Sequence, residues 1–218
     1  MLKLYGLIQR RPDLSLDEFS RHWRTVHREL AVRLVAPGYV RGYVQNHRRE
    51  LDLPGVAKPA FDGCPELWIE RVESLEQLAT SPEYLEGAGP DEANFMSGGS
   101  KSCIAEPRFA YGVARAAAGD CKVLMFYADG IDAGTRWNQE RPWSLPDASA
   151  LRIERDACLV DVPGLEPYAA IESSWWPDIG TFRDAWGDAV ADLGRRAPAP
   201  AMVLPVTELI VFLPAETA

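Results

Sequence analysis

Between residues 2 and 111 the apolar spacing switches between a period of two and a period near 3.6, in the order strand, helix, strand, strand, helix, strand. The first helix is marked most sharply. Pro12 and Asp13 make a turn, Ser15-Leu16-Asp17-Glu18 is a capping box, and Leu16, Phe19, Trp23, Val26, Leu30 and Leu34 recur on one face until Pro37-Gly38. Strands are expected over 2–9, Tyr39 to His47, Glu66 to Arg71 and Lys101 to Tyr111, with a second helix from Ser74 to Leu85 and a loop from Gly87 to Gly99. Such a βαββαβ run lays two helices on one face of a four-stranded antiparallel sheet.

Residues Ala114 to Asp120 read as a linker, after which the pattern begins again. Strands are expected over Cys121 to Ala128, Leu151 to Val160, Tyr168 to Ser173 and Met202 to Leu213. A short helix over Thr135 to Glu140 and a longer one from Asp178 to about Arg195, with Ile179, Phe182, Trp186 and Val190 on one side, complete the set. The expected fold class is therefore α+β: a unit over 1–113 carrying the candidate site and a degenerate second unit over 120–218. Each sheet has an apolar face its helices leave uncovered, so two units in one chain are expected to pack sheet to sheet.

The chain has 218 residues, 47% of them hydrophobic, enough for a core without disulfide staples. A formal net charge of -9 with no lysine or arginine run argues against a nucleic-acid partner or an anionic membrane surface. Cys64, Cys103, Cys121 and Cys158 stand far apart and away from histidine, so they read as reduced thiols, and no metal or cofactor is expected. No secretory leader or membrane-length segment is visible, and a soluble cytoplasmic protein is expected.

The stretch from Arg11 to His27, Arg-Pro-Asp-Leu-Ser-Leu-Asp-Glu-Phe-Ser-Arg-His-Trp-Arg-Thr-Val-His, resembles the opening motif of the EthD-like family. Tyr43-Val44-Gln45-Asn46-His47 resembles that family's second strand, Glu66-Leu67-Trp68 its third, and Asp91-Glu92-Ala93-Asn94-Phe95 the stretch before its fourth. The resemblance implies a dimeric α/β-barrel built of ferredoxin-like units, here tandem duplicated so that the two sheets form an intramolecular α/β barrel. It also implies a superfamily of cofactor-independent cyclases, isomerases, small monooxygenases and haem enzymes. Fold kinship narrows the reaction class without choosing the reaction.

All three histidines, His22, His27 and His47, lie in the first fifty residues. Imidazole is the side chain that exchanges protons most readily near neutral pH. On the helical wheel His27 falls inside the apolar stripe and His22 on its flank. The following strand alternates Tyr43, Gln45 and His47 with Val44 and Asn46, so a polar face turned toward the helix would meet His27 across a cavity. His27 and Tyr43 are the expected catalytic pair, with His47, Gln45, Trp23, Trp68, Tyr5 and Glu66 binding substrate; a core histidine tied to a backbone carbonyl is the alternative at His27. The expected function is cofactor-independent proton transfer of cyclase, isomerase or lyase type on a small apolar carbonyl-bearing or aromatic ligand. The alternatives are a non-catalytic ligand-binding or accessory protein and a cofactor-free monooxygenase. The chain is expected as a monomeric pseudo-dimer or a homodimer.

Overall fold

A computed structural model describes residues 1–128, 149–159, 164–190 and 199–214. The fold is mixed α+β, with every recorded strand pairing antiparallel. In chain order come β1 (Leu2–Leu7), α1 (Leu16–His22), a π-helical turn (Trp23–His27) and α2 (Arg28–Val32). Next are β2 (Gly42–Arg48), β3 (Gly63–Ile69), α3 (Glu73–Ala79), a second π-helical turn (Tyr84–Ala88), α4 (Gly89–Phe95) and β4 (Lys101–Gly112). A short 3-10 turn (Arg115–Ala117) leads to β5 (Cys121–Tyr127), β6 (Arg152–Cys158), β7 (Ala170–Trp175), α5 (Ile179–Val190) and β8 (Met202–Phe212). No described helix is long and apolar enough to cross a membrane. The expected helix over 135–140 and the end of the helix toward Arg195 lie outside the described residues.

The compact units differ from the consecutive stretches 1–113 and 120–218. The first comprises Met1–His47, Ala60–Ile104 and the described residues from Leu209 onward; the second comprises Arg48–Pro59 and Ala105–Glu208. Pairing explains the exchange at β4, because Ala105 to Gly112 bond to β6. The loop of residues 48–59 joins the second unit because Leu51, Leu53 and Val56 pack on its core and Pro54 accepts a hydrogen bond from the Trp186 indole at 2.9 Å.

In the first unit the strands run in the order β1-β3-β2, with Tyr5 opposite Glu66 and Tyr43 opposite Leu67. The capping box forms as expected: Ser15 accepts from the Glu18 amide at 3.2 Å and its own amide donates to Glu18 at 2.8 Å. Two expectations need correction. The loop expected over Gly87 to Gly99 contains α4, which continues the helical turns of residues 82–88 without a break; the helix starts at Ser81, whose Oγ accepts from the Tyr84 amide at 3.2 Å with Pro82 at the first helical position. Val26 is solvent-exposed while His27 is buried. A π turn closes one residue later than an α turn, which brings position 27 beneath position 23 and swings 26 outward.

Two hydrophobic clusters of this unit lie on either side of one cavity. Ile8, Phe19, Trp23, Phe95 and Met96 form one cluster, and Leu34, Val40, Leu78 and Ala88 form another. In the second unit Cys121, Val123 and Met125 of β5 meet Trp176, Phe182, Trp186 and Ala189 in one cluster. The segment expected as a linker is packed as well, with Arg115 buried and donating to Glu208 at 2.7 Å and Glu154 at 3.3 Å.

Gly63 lets the Trp23 indole lie against β3, since a Cβ there would stand 2.5 Å from Trp23 Cζ3. Gly63→Ala should therefore destabilise the protein by about 1–3 kcal/mol, as overpacking does. Urea unfolding measures it, and an unchanged midpoint would contradict the close approach.

Candidate active site

His27 enters the first unit's interior from the π turn, and its ring contacts Phe95 at 4.9 Å between centroids. Its Nδ1 lies 3.1 Å from Asp91 Oδ2. A carboxylate only accepts, so Nδ1 carries the hydrogen and Nε2 keeps the lone pair. Among the described residues Nε2 has no hydrogen-bond partner, and His27 lines a cavity of about 180 Å³.

Asp91 is held by three donors. His22 Nε2 reaches Oδ1 at 2.9 Å and Asn94 Nδ2 reaches it at 3.0 Å, beside the His27 bond. Burial alone would raise the Asp91 carboxyl, but bonds from Asn94, His22 and His27 outweigh it and hold the group below its ordinary range. Burial lowers the His27 imidazole, against the upward pull of Asp91. The result is a neutral imidazole oriented by an ionised carboxylate, the relation between base and orienting group that proton-transfer sites require.

Tyr43 forms part of the opposite wall. Its oxygen accepts from Trp23 Nε1 at 2.9 Å and from Gln45 Nε2 at 2.8 Å, and burial pushes its phenol far above the usual range. Gln45 also donates to the Trp23 carbonyl at 2.9 Å and lies 3.0 Å through Oε1 from His47 Nε2. His47 Nδ1 meets Ser20 Oγ at 2.9 Å, and the His47 ring lies 4.4 Å from that of Trp23. The polar face of β2 thus turns toward the helix.

The rest of the wall is largely apolar, including Leu4, Ile8, Leu34, Leu67, Leu78, Phe95 and Met96. Glu92 and Tyr84 add a second polar pair, with the Tyr84 hydroxyl donating to Glu92 Oε1 at 3.0 Å. Burial raises the Glu92 carboxyl above its ordinary value, and burial with the adjacent Glu92 raises Tyr84 to about 12.

Of the residues expected from the sequence, His27, Tyr43 and Trp23 share the cavity wall, while Gln45 and His47 stand behind Tyr43. Tyr5, Glu66 and Trp68 are not part of the wall. Strand alternation is the reason: Leu4 and Gly6 of β1 and Pro65 and Leu67 of β3 face the cavity, so their neighbours point to the opposite side, where Glu66 accepts from Asn46 at 3.0 Å. Asp91, Glu92 and Tyr84 were not singled out. Ser81-Pro82-Glu83 was the available signal, since a serine followed by proline marks the start of a helix, here one that runs on to Phe95. Among the described residues no group of three or more His, Cys, Asp or Glu is arranged to hold a metal ion.

Residues 11–99 match the EthD domain family. No curated protein matches the chain. Among solved structures, an anthrone oxidase-like protein aligns over 100% of this chain and 96% of its own at 12% identity and a TM-score of 0.55. A protein described as a putative monooxygenase from Fusobacterium nucleatum subsp. nucleatum ATCC 25586 aligns over 99% and 94% at 6% identity and a TM-score of 0.54. An ethyl tert-butyl ether degradation (EthD) family protein from Bacillus halodurans C-125 aligns over 49% of this chain and 97% of its own at 23% identity, TM-score 0.37. At these identities the first two likenesses are of fold.

Burial, then the nearby Arg24, pushes His47 from 6.5 down to about 3. Between those values the unfolded chain binds a proton that the folded protein does not, so this group's contribution to stability falls as pH drops from about 6.5 toward 3. The slope from this one histidine approaches ~1.4 kcal/mol per pH unit, and His47→Gln should remove it. Urea midpoints from pH 7 to pH 4 test this; equal slopes in both proteins would refute it.

Proposed function

Taking residues 11–99 as an EthD domain, we propose that the first unit catalyses cofactor-independent proton transfer, of isomerase, cyclase or lyase type, on a small neutral carbonyl-bearing or aromatic compound. The observation that carries the reading is the His27–Asp91 pair, whose partnerless Nε2 belongs to a residue of an apolar cavity wall. His27 Nε2 removes a proton from a carbon beside the carbonyl, Asp91 stabilises the imidazolium that forms, and the Tyr43 hydroxyl donates to the oxygen where negative charge develops. Return of the proton to another carbon completes an isomerisation. Glu92, with its raised carboxyl, is a second proton carrier on the same wall. A cavity of about 180 Å³ is on the scale that holds one aromatic ring.

The names of two fold neighbours, anthrone oxidase-like protein and putative monooxygenase, suggest a second reading in which the anion made by His27 reacts with oxygen. Oxygen uptake under air, absent in the purely proton-transferring case, separates the two.

The test is exchange of substrate C–H for deuterium in heavy water, followed by NMR over a panel of single-ring ketones, lactones and phenols. His27→Ala and His27→Gln should lower the exchange rate about 10²- to 10⁴-fold. Asp91→Asn should lower it by about 10²-fold. A folded His27→Ala protein with undiminished exchange would end the assignment. Because burial lowers the His27 imidazole, the rate should rise with pH along a limb below 6.5 and then level off. In Asp91→Asn, which loses the upward pull of the carboxylate, that limb should move to lower pH while the plateau drops.

We take the second unit as a duplicated partner that has given up its cavity, since aromatic side chains fill the space between β5 and α5. Calorimetry should then give one ligand per chain. A stoichiometry of two would contradict this.

A further inference from the structure

The hydrogen bonds behind Tyr43 have a direction that follows from the chemistry of their end groups. Arg24 Nη2 lies 2.6 Å from Ser20 Oγ, and a guanidinium can only donate, so Ser20 accepts there and keeps its own hydrogen and a second lone pair for His47 Nδ1 at 2.9 Å. The far end fixes the direction. The Trp23 carbonyl can only accept, so the atom 2.9 Å from it is the amide nitrogen of Gln45, which leaves Oε1 facing His47 Nε2 at 3.0 Å. An uncharged His47 then carries its hydrogen on Nε2, and its Nδ1 lone pair accepts from Ser20.

The second Gln45 hydrogen goes to the Tyr43 oxygen at 2.8 Å, and the Trp23 indole fills the remaining lone pair at 2.9 Å. With two donors on its oxygen, Tyr43 has only its own hydrogen left to give, and that hydrogen has no acceptor among the described residues. We infer that Ser20, His47 and Gln45 are positioning residues which fix the Tyr43 hydroxyl as a one-way donor at the cavity wall, selecting ligands that present an acceptor oxygen such as a ketone or enolate. The inference deepens the role given to Tyr43 under the proton-transfer reading. His47 suits this task because burial keeps it uncharged at neutral pH, so its tautomer stays fixed and the direction of the chain with it.

Two measurements test it. In ¹⁵N NMR of the histidine side chains, His47 should be neutral with its proton on Nε2 at pH 6–8, and Ser20→Ala should let the other tautomer appear. An Nδ1-protonated His47 in the wild type would overturn the direction of the chain whatever the exchange assay shows. The second uses carbonyl-labelled acetophenone and infrared spectroscopy. The bound carbonyl band should lie at lower frequency in the wild type than in Tyr43→Phe, and the affinity should fall about three- to tenfold in that variant, the size of one hydrogen bond.

Gln45→Glu places a group that only accepts beside Tyr43, so the phenol hydrogen turns away from the ligand and the band should match that of Tyr43→Phe although the tyrosine is present. A low-frequency band that persists in Gln45→Glu would overturn the proposal. Failure of acetophenone to bind the wild type would overturn the acceptor-oxygen assignment, while His27-dependent exchange reports separately on the proton-transfer reading. If Gln45→Glu does not fold, the Ser20→Ala tautomer result decides.

Discussion

The first unit depends on a departure from α-helical geometry in its first helix. Between Trp23 and His27 the helix widens by one residue, and two bulky side chains four positions apart then face the same interior. Trp23 lies over Gly63 and brings its indole hydrogen to Tyr43, while His27 reaches the first turn of α4 and Asp91. Held in an unbroken α-helix, the same sequence would turn Val26 further inward, next to an imidazole that needs polar company. The second π turn, Tyr84–Ala88, brings Tyr84 and Ala88 to the same cavity. Both turns sacrifice regular hydrogen bonding where the cavity wall is built, a placement common at functional sites.

The cavity, lined by members of both clusters, forfeits contacts that a filled interior would make. The polar groups around the gap are arranged so that almost none is left unpaired: Asp91 takes three donors, Gln45 uses both amide hydrogens and its oxygen, and Tyr43 fills both lone pairs. Two positions stand out because they are open, His27 Nε2 and the Tyr43 hydrogen, one an acceptor and the other a donor. The second unit also gathers buried charges, with Lys122 and Arg115 both on Glu208, yet it fills the space beneath α5 with tryptophan and phenylalanine. Polar pairing over a solid core serves stability, whereas a paired network with two open ends beside a cavity is the arrangement that the proposed ligand role needs.

Much of this was legible in the chain. The capping box, the polar face of β2 and the inward direction of His27 all follow from local spacing, and local spacing is what helices and strands obey. Three things were not. The π turns leave no residue signature, so the wheel placed Val26 in the stripe. The faces of β1 and β3 depend on register with β2, and without it Tyr5, Glu66 and Trp68 were assigned to the wall although they point away from it. Asp91 lay within a recognised stretch, but glycines on both sides made that stretch read as a loop, and a loop places no side chain. The partner of His27 was therefore visible as a letter and invisible as a contact, because the two are 64 positions apart.

The composition of the cavity wall also limits what charge a ligand can carry. Among the described residues that line it there is no lysine or arginine, and its one carboxylate, Glu92, is pushed toward the neutral form. A carboxylate or phosphate entering this space would lose its water without gaining a cation, at a cost of several kcal/mol that apolar contact does not offset. A cation would meet a largely apolar wall and, behind it, an Asp91 already saturated by three donors. The fitting ligand is neutral on entry. In the proposed proton transfer, negative charge would be made in place, the proton that creates it moving onto His27, beside Asp91, and the oxygen that receives it meeting the Tyr43 hydrogen. On that proposal, a wall that disfavours a preformed anion but accommodates one generated beside its own imidazolium would favour the transition state over the free ion, the selective stabilisation that catalysis requires.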